Sequence, residues 1–284
     1  MLFRSFMPAY PVPATFDSES VDLREEYALR LSDIGRHGYG MFTSSAMFSV
    51  TDEGDILPIV SADTISLDRF IGYEEERGRV LANTKAFLQG RPAANVLLYG
   101  DAGTGKSSSV KAIVNHLFED GLRLIELRKN QLLLLPRVME KIAHNPLKFI
   151  IFIDDLSFNK NDDSFSMLKA TLEGSASAKA KNAVIYATSN RRHIVRECFS
   201  DREGNDVHRN DTVQETLSLS ERFGMTVLFA KPEKRLYLEI IHELADRNGI
   251  DTPLADLDRD AEAFALKRGY RSARCAEQFI ESLM

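Results

Sequence analysis

Apolar positions recur in two rhythms along this chain. Between Glu19 and Ile34, the residues Leu23, Tyr27, Leu31 and Ile34 fall at helical spacing, which predicts a helix stopped by Gly35. The stretches MFTSSAMFSV and DEGDILPIV then read as two short strands about an acidic turn, Asp52 to Asp55, because apolar, β-favouring runs flank turn-forming residues. Residues 1–66 are therefore expected to form an N-terminal leader, which could be the tail of a larger domain. After Ser66, short apolar runs alternate with helical stretches, the pattern of a parallel sheet covered on both faces. Five strands are predicted, at Asn95 to Tyr99, Arg123 to Leu127, Phe149 to Asp154, Ala183 to Thr188 and Thr226 to Phe229. Helices are predicted between them at Glu74 to Leu88, Lys106 to Glu119, Leu132 to Ala143 and Ser164 to Leu172. Residues 67–230 make this α/β domain. Strand signals stop at Pro232, and residues 231–284 read as a small lid of three helices, the first opened by Pro232 and closed by Asn248 and Gly249, the last capped by Ser272.

A chain of 284 residues suits one α/β core with a smaller appendage. Its 36 basic and 42 acidic residues leave a formal charge of −6, so the overall balance does not ask for a polyanion or an anionic membrane surface. The two cysteines, Cys198 and Cys275, lack metal-ligand spacing and predict a reducing compartment without a disulfide framework. No apolar run approaches the roughly 18 residues that span a bilayer, and MLFRSFMPAYPVP lacks the apolar core of a signal peptide. The cytoplasm is the expected address.

The chemistry is concentrated in GDAGTGKS: Gly100, Asp101, Ala102, Gly103, Thr104, Gly105, Lys106 and Ser107, with Ser108 next. This fits G-x-x-x-x-G-K-[ST], lying between a β-rich run and a helix. Glycines let successive N–H groups turn inward, and the helix start adds its positive end, which makes an anion cradle. Lys106 is expected to reach the β- and γ-phosphates of a nucleotide and Ser107 to ligate Mg²⁺. In KFIIFIDDLS an apolar strand delivers Asp154 and Asp155 at its carboxyl end, the Walker B arrangement, with Asp154 at the metal and Asp155 orienting the attacking water. The letters N-K-x-D at Asn159 to Asp162, which read guanine in GTPases, follow that strand within a few residues. A guanine-reading motif ends a later strand of its own, so adenine is the expected base and ATP with Mg²⁺ the expected ligand.

With these two motifs in place, the chain from about Phe70 to its end resembles the AAA+ ATPase superfamily, and the strings NVLLYGDAGTGKSS, FIIFIDDLSF, YATSNRRH and SLSERFG together are similar to a bacterial AAA+ group catalogued as a domain of unknown function. The resemblance implies a five-stranded parallel sheet between helices, followed by a helical lid. It also implies that the strand after Walker B lies between the Walker A and Walker B strands and ends at a sensor residue, Asn190. It makes Arg222, in SLSERFG, an arginine finger that reaches a neighbouring subunit, hence a homo-oligomer. It makes Arg274, with Arg271 as competitor, the lid arginine that closes onto the phosphates, and places Ile71 and Gly72 beside adenine. Two features depart from the usual pattern. Asp155 stands where Glu is common, and LRKNQLLLLPRV lacks the aromatic-apolar-Gly element of protein-threading unfoldases. The expected function is an ATPase coupling hydrolysis to rearrangement of an oligomer or an unidentified protein partner. The alternative is an ATP-dependent switch or loader with little turnover. A basic cluster, Arg191, Arg192, His193 and Arg196, is a weak nucleic-acid footprint or an intersubunit contact.

Overall fold

The computed structural model describes residues 22–60, 65–157, 163–173, 181–190 and 221–284. The loop from Ser200 to Glu215, the N-K-x-D letters and the basic cluster at 191–196 lie outside the described residues. The first helix, α1 (Leu23–Ser32), is capped by Asp22, which accepts the backbone N–H of Arg24 at 2.9 Å and of Glu25 at 3.2 Å. It ends before the expected stop at Gly35, with the Ser32 hydroxyl donating to the Leu29 carbonyl at 2.7 Å, and Gly35 lies inside a short helix, α2 (Ile34–His37).

The acidic turn joins β1 (Met47–Val50) to β2 (Ile56–Pro58), with Gly54 at φ 82° closing it through a 3.0 Å bond to the Thr51 carbonyl. Helix α3 (Glu74–Leu88) leads to β3 (Val96–Gly100), and α4 (Lys106–His116) leads to β4 (Leu122–Glu126). The predicted helix over 132–143 is a 3₁₀ turn, Lys129–Leu134, followed by α5 (Leu135–Ile142). Pro136, which lacks an N–H, fits the first turn of α5. Then come β5 (Lys148–Ile153), α6 (Asp163–Glu173), β6 (Ala183–Ser189) and β7 (Met225–Phe229).

These strands form one sheet in the order β2-β1-β4-β5-β6-β3-β7, parallel throughout except for the β1–β2 hairpin. The sheet thus has seven strands where five were expected. The hairpin assigned to the leader is part of it, because β1 pairs in parallel with β4, Phe48 opposite Ile125. Strand alternation sends side chains to two cores. In β5, Phe149, Ile151 and Ile153 face α5 and α6, while Ile150 and Phe152 face α3 and α4. Both faces are therefore dry, which is why the strands read as unbroken apolar runs.

Among the described residues, the charged side chain buried most deeply is on β4. Arg123, in β4, is 1% exposed, and its guanidinium donates to the carbonyls of Phe42 at 2.6 Å and of Phe118 and Leu122 at 2.8 Å. Burial pushes its pKa down to about 10. Arg123→Ala leaves these carbonyls without their charged donor and is expected to cost about 3 kcal/mol of stability. Urea unfolding checks it, through a lowered midpoint at unchanged slope.

After the sheet come α7 (Lys234–Arg247), α8 (Leu254–Arg268) and α9 (Ala273–Glu281). They share a core of their own around Tyr237, Ile241, Ala261 and Phe279. Pro232 stands just before the Glu233 N-cap of α7, outside the helix it was expected to open, whereas Asn248 closes α7 and Ser272 caps α9, accepting the Cys275 N–H at 3.1 Å.

Candidate functional site

The carboxyl ends of β3, β5 and β6 meet at the reversal of strand order, where open α/β sheets hold their ligands. β3 ends at Gly100, whose φ of 137° is open to glycine; a Cβ there would stand 2.0 Å from the Phe229 carbonyl oxygen. Gly103 and Gly105 follow at φ 74° and 85°, so the loop curls through conformations that other residues adopt at a cost, and α4 begins at Lys106. Loop curvature and helix start together make the anion cradle.

Lys106 is 7% exposed, and its ammonium donates to the carbonyls of Gly100 at 2.9 Å and Asp101 at 2.6 Å and to Asn190 Oδ1 at 3.3 Å. Burial lowers its pKa, opposed by Asp101, Asp154 and Asp155. The Ser107 hydroxyl donates to Asp154 Oδ1 at 2.6 Å, the Thr188 hydroxyl donates to the same oxygen, and the Asp155 N–H donates to Thr188 Oγ1 at 2.9 Å. Asn190 Nδ2 donates to Asp155 Oδ1 at 2.8 Å, which closes a chain from the cradle through both acids and back to Lys106. Oxygens of Ser107 and Asp154 side by side suit a hard cation that takes its remaining ligands from phosphate and water.

One cavity holds Ala102, Gly103, Gly105, Lys106, Ser107 and Ser108 together with Asp154, Asp155, Asn190 and Arg274. Arg274 is brought in by the Ser272 cap and by its own N–H, which donates to the Gly103 carbonyl at 3.3 Å. Arg271, its competitor, is held elsewhere by Glu262, at 2.9 and 2.7 Å. A neighbouring cavity includes Ile71, Thr104 and Ser108; Gly72 backs onto Leu236 instead of lining it. The Asp101 side chain turns from the cradle to the start of the lid, accepting the Lys231 N–H at 3.1 Å. Arg222 lines neither cavity. Sequence reasoning missed Thr188, whose signal was a polar residue in an apolar strand, two positions from Asn190 and so on the same face.

A family model described as a protein of unknown function (DUF815) matches residues 43–284. The chain belongs to the DUF815 family. Within its sheet β6 lies between β3 and β5, as the resemblance to AAA+ proteins implied. The ORC1-type DNA replication protein 5 of Halobacterium salinarum is 36% identical over 74 residues, which are 24% of this chain and 17% of that protein. The Thermotoga maritima RuvB Holliday junction branch migration motor aligns over 77% of this chain and 72% of its own at a TM-score of 0.43 and 16% identity. A katanin structure, described by its self-assembly, aligns over 87% of this chain and 74% of its own at a TM-score of 0.46 and 16% identity. Among the described residues no helix is long and apolar enough to cross a membrane.

Proposed function

We propose that this DUF815 protein binds ATP with Mg²⁺ and hydrolyses it, using the lid to convey the state of the nucleotide to an oligomer or a protein partner. The observation that carries the reading is the continuous hydrogen-bonded chain of Ser107, Asp154, Thr188, Asp155, Asn190 and Lys106 at the mouth of a glycine cradle. Ser107 and Asp154 hold Mg²⁺, which when bound neutralises charge on the β- and γ-phosphates. Lys106 leaves its loop carbonyls for those phosphates. Asp155 accepts a hydrogen bond from the attacking water, whose oxygen bonds to the γ-phosphorus as the bond to the bridging oxygen of ADP breaks; Asn190 positions both water and phosphate. Arg274 brings α9 onto the phosphates, and Arg222 acts on the site of an adjacent subunit.

One feature favours an ATP-driven switch with little turnover. Asp155 is one methylene shorter than the Glu common at this position, and its Oδ1 is tied to Asn190, which shortens its reach to an attacking water. ATP binding and turnover per subunit, measured against protein concentration with and without EDTA, test both readings. Turnover that rises with concentration and stops in EDTA supports the assembled ATPase, whereas tight binding without turnover moves the assignment to the switch. A protein that binds no ATP sinks both. In the same assay Lys106→Ala is expected to weaken ATP binding by at least about tenfold, the loss of a charge-assisted phosphate contact.

A further inference from the structure

The passage from sheet to lid is held at one peptide unit. β7 ends at Phe229 and Glu233 caps α7, so the link consists of Ala230, Lys231 and Pro232. Pro232 is buried, and its ring fixes its own φ and restricts Lys231 to extended conformations. Much of the rotational freedom of the link therefore lies on either side of the Ala230–Lys231 peptide. Both ends of that peptide are bound. The Tyr73 hydroxyl donates to the Ala230 carbonyl at 2.6 Å, and the Asp101 carboxylate accepts the Lys231 N–H at 3.1 Å. Tyr73 precedes α3 at φ 59°, a left-handed conformation that a bulky residue adopts at a cost. Its ring stacks on Phe229, with centroids 5.4 Å apart. Burial, with Glu76 and Asp101 nearby, pushes its phenol up to about 12, so the hydroxyl keeps its proton at neutral pH. Asp101 belongs to the cradle itself: its carbonyl accepts from the Lys106 ammonium at 2.6 Å while its carboxylate faces the link. One residue thus touches both the lysine assigned to phosphate and the start of the lid.

Resting on the ATP-binding reading above, we infer that Tyr73 and Asp101 are positioning residues, which clamp the Ala230–Lys231 peptide and so fix the lid where Arg274 meets the phosphates. A peptide bound at both its carbonyl and its N–H cannot turn without giving up a hydrogen bond. The lid meets the cradle again at Gly103, whose carbonyl accepts the Arg274 N–H at 3.3 Å, so a turn of the hinge peptide carries Arg274 away from the loop. Phosphate reaches the clamp through Lys106: drawing the ammonium off the Asp101 carbonyl frees the residue that holds Lys231.

Amide exchange and calorimetry on the full chain test this. The Lys231 N–H should exchange about tenfold faster in Asp101→Ala than in the wild type, the loss of a hydrogen bond to a charged group, while the amides of β5 keep the wild-type rate. Asp101→Asn, whose amide oxygen still accepts, should stay within about threefold of the wild type. Titration with Mg²⁺ and adenylyl imidodiphosphate, an ATP analogue that is not hydrolysed, reads the positioning. Tyr73→Phe keeps the ring stack and loses only the hydroxyl, and should weaken the analogue about fivefold, the scale of one hydrogen bond. In an Arg274→Ala background the same change should weaken it less than about twofold, because residues that act through one group are not additive. A merely structural role would give equal losses in both backgrounds. Equal losses, no loss from Tyr73→Phe alone, or Lys231 exchange that is unchanged in Asp101→Ala or rises in step with β5 overturns the inference. In each of these cases, Lys106-dependent binding of the analogue leaves the ATP-binding reading standing. A wild type that binds no analogue overturns both.

Discussion

Arg222→Ala is expected to lower ATP turnover about a thousandfold, the scale at which a missing arginine finger has been felt elsewhere, while ATP affinity stays close to that of the wild type. Arg222 lines neither cavity of its own chain, so its proposed contribution is to a neighbouring site. The mechanism is charge compensation: the γ-phosphoryl oxygens gain from a guanidinium most as the transition state forms, so the loss falls on kcat and spares ground-state binding. A mixing experiment separates action in trans from damage to the fold. Lys106→Ala subunits keep the finger and lack the cradle lysine, whereas Arg222→Ala subunits have the reverse defect. Equal amounts of the two should recover a measurable fraction of wild-type turnover, since some interfaces then combine an intact cradle with an intact finger. Background turnover in the mixture, with both variants folded and assembled, would refute action in trans.

Asp155→Asn is expected to lower turnover by about a hundredfold to a thousandfold, with ATP and ADP bound as before. An amide of the same size keeps the hydrogen-bonding outline but gives up the carboxylate that orients and deprotonates water, a contribution of that order. The backbone makes this replacement a clean one. Asp155 stands at φ 51°, in the left-handed region that Asp and Asn tolerate through local hydrogen bonding and that longer side chains enter at a cost. Asp155 N–H is held by Thr188 at 2.9 Å and its carboxylate by Asn190 at 2.8 Å, so a short acid is anchored at both ends. The same conformation gives a physical reason for Asp where Glu is common. Asp155→Glu should gain no turnover over the wild type, because its extra methylene starts from a backbone shaped for a shorter residue. Single-turnover kinetics with Mg²⁺-ATP check both substitutions, and Asp155→Asn turning over at the wild-type rate would remove Asp155 from the chemistry.

The phosphate loop, the acid pair and the strands that carry them were legible in the sequence because each depends on neighbours in the chain. Gly100, Gly103 and Gly105 supply local backbone freedom, and a fully buried parallel strand announces itself as an apolar run. Ser272 at the start of α9 was legible for the same reason, since a cap bonds within its own first turn. Contacts between distant segments were not. Ser107 meets Asp154 across 47 positions and Lys106 meets Asn190 across 84, and only the parallel packing of β3, β5 and β6 brings them together. The hairpin of β1 and β2 looked like part of a leader because its pairing with β4 depends on no residue near it in sequence. Where Arg271 and Arg274 lie also depended on the tertiary structure: Glu262, on α8, holds Arg271, and the Arg274 N–H donates to the Gly103 carbonyl. The chain by itself therefore determined the glycine loop, the acid pair and the strands on which the proposed phosphate site rests, through local geometry and strand patterning. Folding decided which distant side chains share that site, because their proximity comes from packing.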